Sequence, residues 1–162
     1  LTTLTLTHIN AHCKNRLVEI HVDVDNAIID AFKTLLLNAN PSVLGLFLSN
    51  ELNHLQLDSL FAAAARVEVL CVSTREREDD ILCMVGKHCH NVEKLSISND
   101  EVRPFILDAA PCALAYGCPR LTVLTMDDAN AVPSAVRRFW NKVRPQMRFE
   151  LLSDSPPYNW CS

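Results

Sequence analysis

Glycine is scarce in this chain: three in 162 residues, Gly45, Gly86 and Gly117. A phosphate-cradling loop needs glycines in a cluster, and neither the Walker pattern nor G-x-G-x-x-G occurs; the G-x-S-x-G of serine hydrolases is missing too. No apolar run approaches the ~20 residues of a membrane-spanning helix, and no signal-peptide pattern is visible. Positive charge is not in excess. Fifteen Lys and Arg against 19 Asp and Glu leave a net charge of -4, which argues against a binder of phosphate backbones. No nucleic acid, membrane or cofactor is expected as a partner.

Cysteine is plentiful, with seven residues, but the patterns that give it chemistry are missing. Cys83, His88, Cys89 and His90 form the one dense group of metal-type ligands. Zinc sites use pairs at C-x2-4-C spacing; here the spacing is C-x5-C and no second pair stands at a standard interval, so no metal site is predicted. A nucleophilic cysteine needs a base and a group to orient it. Cys71 has no such neighbours fixed by sequence, and no enzyme is predicted. An odd number of cysteines, with Cys89 and Cys118 at one repeated position and Cys13 one place off it, reads as reduced thiols in a cytoplasmic or nuclear protein.

What is present is repetition. Gly117-Cys118-Pro119-Arg120-Leu121-Thr122-Val123-Leu124-Thr125-Met126 contains the spacing L-x-x-L-x-L, a short strand with its apolar side chains turned one way, entered through a tight corner. His88-Cys89-His90-Asn91-Val92-Glu93-Lys94-Leu95-Ser96-Ile97 has the same form, and in both a Cys stands three places before the first apolar slot. The frame extends to Leu1/Leu4/Leu6, Leu17/Ile20/Val22, Val43/Leu46/Leu48 and Val67/Leu70/Val72, with Met147/Phe149/Leu151 as a plainer alternating strand. From Leu17 onward the first slots stand 26, 24, 25, 29 and 26 residues apart. This resembles leucine-rich repeats, whose period is about 20 to 29 residues.

Between the strands, helices are expected over 27–38, from Leu57 through Ala65, over 78–88 and from Pro133 to Val143. Asn26 is a candidate N-cap for the first. The stretch 101–116 should form two short helical pieces, because Pro111 disfavours a regular helix interior. The first unit, with only six residues between strands, should close with a bare turn. Residues 153–162 form a tail. The chain opens inside a strand slot, which suggests the carboxy-terminal part of a longer protein, since stacked repeats are normally capped at their ends.

The predicted fold class is α/β: a leucine-rich-repeat solenoid over residues 1–152, about six to seven irregular repeats, with parallel strands on the concave side and helices on the convex side. Residues between the slots would form the concave surface, where such stacks bind partners. The residues chosen there as partner-binding are His21, Asp23, Phe47, Ser49, Cys71, Lys94, Ser96, Thr125 and Asp127. The strand exits add Asp25, Glu51, Glu76, Asp100, Glu101 and Asp128, an acidic rim. Two readings of that rim stand: helix caps and first turns, which attract acids, or a surface for a basic partner.

The Cys-Pro-x-Leu-x-x-Leu-x-Met run at Cys118 and the Cys-His-Asn-Val-x-x-Leu-x-Ile run at Cys89 resemble the cysteine-containing repeats of the F-box/leucine-rich-repeat family. The resemblance implies the substrate-recognition part of an F-box protein in an SCF-type ubiquitin ligase. A protein substrate would dock on the concave face, and Skp1/cullin would be engaged through an F-box that is not in this segment. The alternative is a leucine-rich-repeat scaffold or adaptor unrelated to ubiquitination.

Overall fold

Alternating apolar residues followed by helix-forming runs dictate a strand-helix rhythm, and parallel strands need such crossovers. The computed structural model describes residues 19–74, 78–99, 109–126 and 134–151. The expected first strand and bare turn, the tail, and Asp127 lie outside these residues. Six parallel strands alternate with five helices in one sheet. They are β1 Glu19–Val24, α1 Ile29–Ala39, β2 Val43–Leu48, α2 His54–Ala63, β3 Val69–Thr74, α3 Glu78–His88, β4 Lys94–Asn99, α4 Ala109–Gly117, β5 Val123–Met126, α5 Ser134–Val143 and β6 Arg148–Leu151. The sheet order is β1-β2-β3-β4-β5-β6, the order of the chain. Each helix packs on the next one along.

The slot residues build the core between sheet and helices. Val22, Leu46, Val72, Ile97 and Met126 form one row in register across five strands, and Leu44, Leu70, Leu95 and Leu124 form the row beside it. All nine are buried. Helical side chains meet them at i, i+3, i+4 spacing: Phe32, Leu35 and Leu36 from α1, Leu57, Leu60 and Phe61 from α2, Ile81, Leu82 and Val85 from α3. Trp140 of α5 closes the far end, edge-on to Phe139 and to Phe149 of β6.

The register corrects one unit of the frame. Leu46 pairs with Val22 and Val72, and Leu44 with Ile20 and Leu70, so the third triplet is Pro41/Leu44/Leu46 and not Val43/Leu46/Leu48. Pro41 is buried in the first slot. The slip is two residues, so every side chain keeps its face of the sheet. Asn40, in the left-handed region at φ 50°, ends α1 and turns the chain into Pro41.

A repeated corner joins helix to strand. The carbonyls of Ala64, Cys89, Cys118 and Arg144 each accept from the amide three residues on, at Val67, Val92, Leu121 and Met147. These last residues are the first slots. The cysteine thiols serve the same corner. Cys89 Sγ donates to Phe61 O at 3.6 Å, and Cys118 Sγ donates to Cys89 O at 3.5 Å and Val85 O at 3.7 Å. Each of these carbonyls near a helix C-terminus already accepts a backbone N–H, and the thiol of the following unit adds a weak second donor to it. Burial pushes the Cys89 thiol up to about 12 and that of Cys118 to about 11.

Three local expectations change. The first helix is turned by Asp25, whose Oδ1 accepts from Ala27 N at 2.8 Å and Ile28 N at 3.2 Å. Asn26 instead links loops of adjacent units, donating to Glu51 O and accepting from Gln56 Nε2. α2 starts at His54, three residues earlier than its apolar run, because Asn53 and Gln56 form a capping box. Pro111 sits in the first turn of α4, where a missing N–H leaves no bond unmade. The two-piece reading of 101–116 falls partly outside the described residues.

Candidate functional site

The sheet face away from the helices is lined by the residues between slots. Its upper row runs Asp23, Phe47, Ser73, Ser98 across β1 to β4, and the row below it runs His21, Gly45, Cys71, Ser96, Thr125. At the C-terminal ends of β1, β2 and β3 this face opens into a cleft of about 580 Å³. Asp23, Asp25, Phe47, Glu51 and Ser73 contribute to its lining, and among the described residues no Lys or Arg does.

Sequence periodicity selected three residues that the fold brings together here: Asp23, Phe47 and Ser49. Phe47 is 50 % exposed, on a sheet whose other large apolar residues are buried or half-buried. His21 is exposed and lies over Gly45, whose missing side chain makes room for the imidazole. Lys94 is exposed and Thr125 half-buried, both away from the cleft on strands further along. Asp127 lies outside the described residues.

Cys71 and Ser96 are less accessible than the other described residues of this face selected by periodicity. They are on the predicted face but only 5 % and 7 % exposed. Both carry a single atom beyond Cβ and stand in the inner row, where strands on either side flank them. Such short side chains offer little surface beside their neighbours. Periodicity gives the face of a side chain but not its height.

The carboxylates of the cleft divide by role. Asp25 is occupied as the turn acceptor of α1. Among the described residues, the side chains of Asp23 and Glu51 have no hydrogen-bond or ion-pair partner. The capping account of the acidic rim therefore explains Asp25 and leaves the other two open. Sequence reasoning missed Thr74 and Asn50, which also line the cleft. Thr74 follows Ser73 as Leu48 follows Phe47, and is a buried polar residue on the core side. The signal available was a hydroxyl where an apolar slot residue belongs.

On the helix side, Asp58 of α2 receives Lys87 Nζ at 2.8 Å and stands 2.9 Å from His88 Nε2, both from α3. Hydrogen bonds from Lys87 and then His88 hold its carboxyl at about 2. The Cys83/His88/Cys89/His90 group is dispersed by these contacts: His90 Nδ1 donates to Gly117 O, and Cys89 points into the core corner. Among the described residues no group of three or more His, Cys, Asp or Glu is placed to hold a metal ion. Nor is any described helix long and apolar enough to cross a membrane.

Compared with known families and curated proteins, the chain matches no family model and no curated sequence.

Proposed function

We propose that this chain is a leucine-rich-repeat interaction domain, a curved stack with strands on the concave side and helices on the convex side. Its role on this reading is substrate recognition for an F-box protein in an SCF-type ubiquitin ligase, with no catalysis of its own. A protein substrate docks on the open sheet face, and Skp1/cullin is engaged through an F-box elsewhere in the parent protein.

The observation that carries this reading is the repeated corner. Helix end and first apolar slot recur with the same backbone hydrogen bond at Cys89 and Cys118, both thiols donate to carbonyls of the unit before, and these are the two units whose sequence resembles the family. Small thiols at that position let one unit sit closely on the last. The open face, with a cleft at its strand exits, supports the docking role, since concave sheet surfaces are the usual binding sites of repeat stacks.

The test is affinity capture of the full-length parent protein with Skp1 and cullin probed in the eluate. The reading expects both to be present. It also expects that removing residues 19–151 abolishes capture of other partners but not of Skp1. If Skp1 and cullin are both missing, the ligase role is wrong and the domain is a scaffold or adaptor.

A further inference from the structure

We infer that Arg144 is a clasp. Its guanidinium locks the last unit, α5 with β6, onto the stack, and this unit opens and closes on it as one body ahead of the other strands. The clasp is independent of what the sheet face binds.

The corner position shows what Arg144 replaces. It stands three residues before the slot Met147, as Cys89 stands before Val92 and Cys118 before Leu121. It also makes the cysteine's contact. Cys89 Sγ donates to Phe61 O, three residues before the corner residue Ala64 of the preceding unit. Arg144 donates through Nε at 3.3 Å and Nη2 at 2.8 Å to Ala115 O, three residues before the corner residue Cys118. Its Nη1 donates to Pro119 O as well. A weak thiol donor is thus replaced by a charged fork with its N–H groups spread over two carbonyls. These carbonyls lie around the C-terminus of α4, where the helix dipole favours a cation, and hydrogen bonds from a charged group are the stronger kind.

The rest of the last unit is lightly held. Among the described residues α4 and α5 are the most sparsely packed pair of successive helices, in contrast to the backbone crossing of α3 and α4. The buried side chains of α5 are Val136 and Trp140. β6 pairs with β5 over four residues, whereas the pairings from β1 to β4 run over five or six. Sparse buried contacts and short pairing put a segment at the low end of local stability. Arg144 is itself half-buried, so its charge returns to water without crossing the core when the fork lets go. Burial pushes the Cys118 thiol up and the charge of Arg144 acts against it, which places the guanidinium beside that cysteine. Opening of the last unit therefore bares Cys118, while Cys89 stays covered by the corner of Cys118, whose thiol donates to Cys89 O.

The experiment is hydrogen exchange by mass spectrometry on the full chain without denaturant, paired with iodoacetamide labelling. In the parent, α5 and β6 should exchange together and faster than β2 to β4. Arg144→Met should speed both by about tenfold or more, through the loss of bonds from a charged donor, and leave β2 and β3 unchanged. Labelling of Cys118 should quicken with it, and that of Cys89 should not. Arg144→Lys, which keeps the charge but lacks the fork, should fall between the two; if Arg144→Met does not fold, this variant carries the same comparison. Arg138→Met removes an exposed charge from the same helix at little cost in helix propensity and should match the parent. The clasp is overturned if α5 and β6 exchange in Arg144→Met as they do in the parent, if they open at unrelated rates, or if all strands lose protection alike. An Arg144→Lys chain as protected as the parent overturns it too, because charge alone would then hold the unit.

Discussion

Cys89 and Cys118 are held by burial, by donation to backbone carbonyls and by raised thiol pKa values of about 12 and about 11. Thiolate is the reactive form, so both should resist iodoacetamide in the folded chain at neutral pH, while Cys112, which is half-buried, is modified. Peptide mapping after alkylation with and without urea reads this directly. Labelling of Cys118 as fast as Cys112 in the folded chain would contradict the corner described here. Asp58 makes a second residue-scale prediction. Its carboxyl titrates at about 2 against an ordinary 3.8, because Lys87 and His88 stabilise the charged form. The native state then binds a proton less readily than the unfolded chain, so stability from this group is full above 3.8 and is lost as pH falls toward about 2. Asp58→Asn should flatten the fall of the urea midpoint across that window, and an unchanged acid slope would show that the α2–α3 contact is not sensed.

At the scale of elements, two of the three glycines serve one contact. A Cβ on Gly86 would stand 2.5 Å from the carbonyl carbon and oxygen of Ala113, and one on Gly117 would run into the backbone of Gly86. α3 and α4 therefore cross at van der Waals distance of their backbones. Gly86→Ala gains up to about 1 kcal/mol of helix propensity but must push two backbones apart. Overpacking of this kind typically costs about 1–3 kcal/mol, and backbone atoms yield least, so we expect net destabilisation in urea denaturation. Gly45→Ala is the contrast: the nearest atoms to its Cβ belong to the exposed His21 side chain and not to backbone, so it should cost less than Gly86→Ala in the same urea measurement. Asn53→Ala, which removes the capping box of α2, should cost about 1 kcal/mol.

The same scale shows what the sequence made legible. Val43–Leu48 and Glu78–His88 could be read residue for residue, because a period of two and a period of 3.6 leave different patterns. The β2 frame slipped by two because Val43, Leu46 and Leu48 fit the slots as well as Pro41, Leu44 and Leu46; only pairing with neighbouring strands separates them. The glycine contact was hidden, since nothing in one chain's spelling states which two helices cross. In the candidate site, Asp23, Phe47 and Ser49 were legible from strand parity. The burial of Cys71 and Ser96 was not, because it depends on the side chains of the adjacent strands.

For the whole molecule, the decisive fact is that, among the described residues, each strand makes its close backbone contacts with the next strand and each helix with the next helix. A sheet ordered as the chain is ordered has no long-range closure that would force all six strands to melt together. On the repeat-stack reading proposed above, stability adds along the chain as unit terms and interface terms. The α3–α4 interface is the closest helix pairing in the described residues, by the backbone contacts at Gly86, Ala113 and Gly117, so it should couple β1–β3 to β5–β6. Weakening it by Gly86→Ala should do more than lower the midpoint. Hydrogen exchange followed by mass spectrometry should show α3, α4 and the strands beyond them losing protection first, while Leu44, Leu46 and Leu70 in β2 and β3 keep theirs. Urea unfolding should broaden from one step toward two. A uniform loss of protection across β1 to β6, with a single sharp transition, would mean that the elements are coupled by more than their immediate neighbours, and the nearest-neighbour account of this sheet would have to be given up.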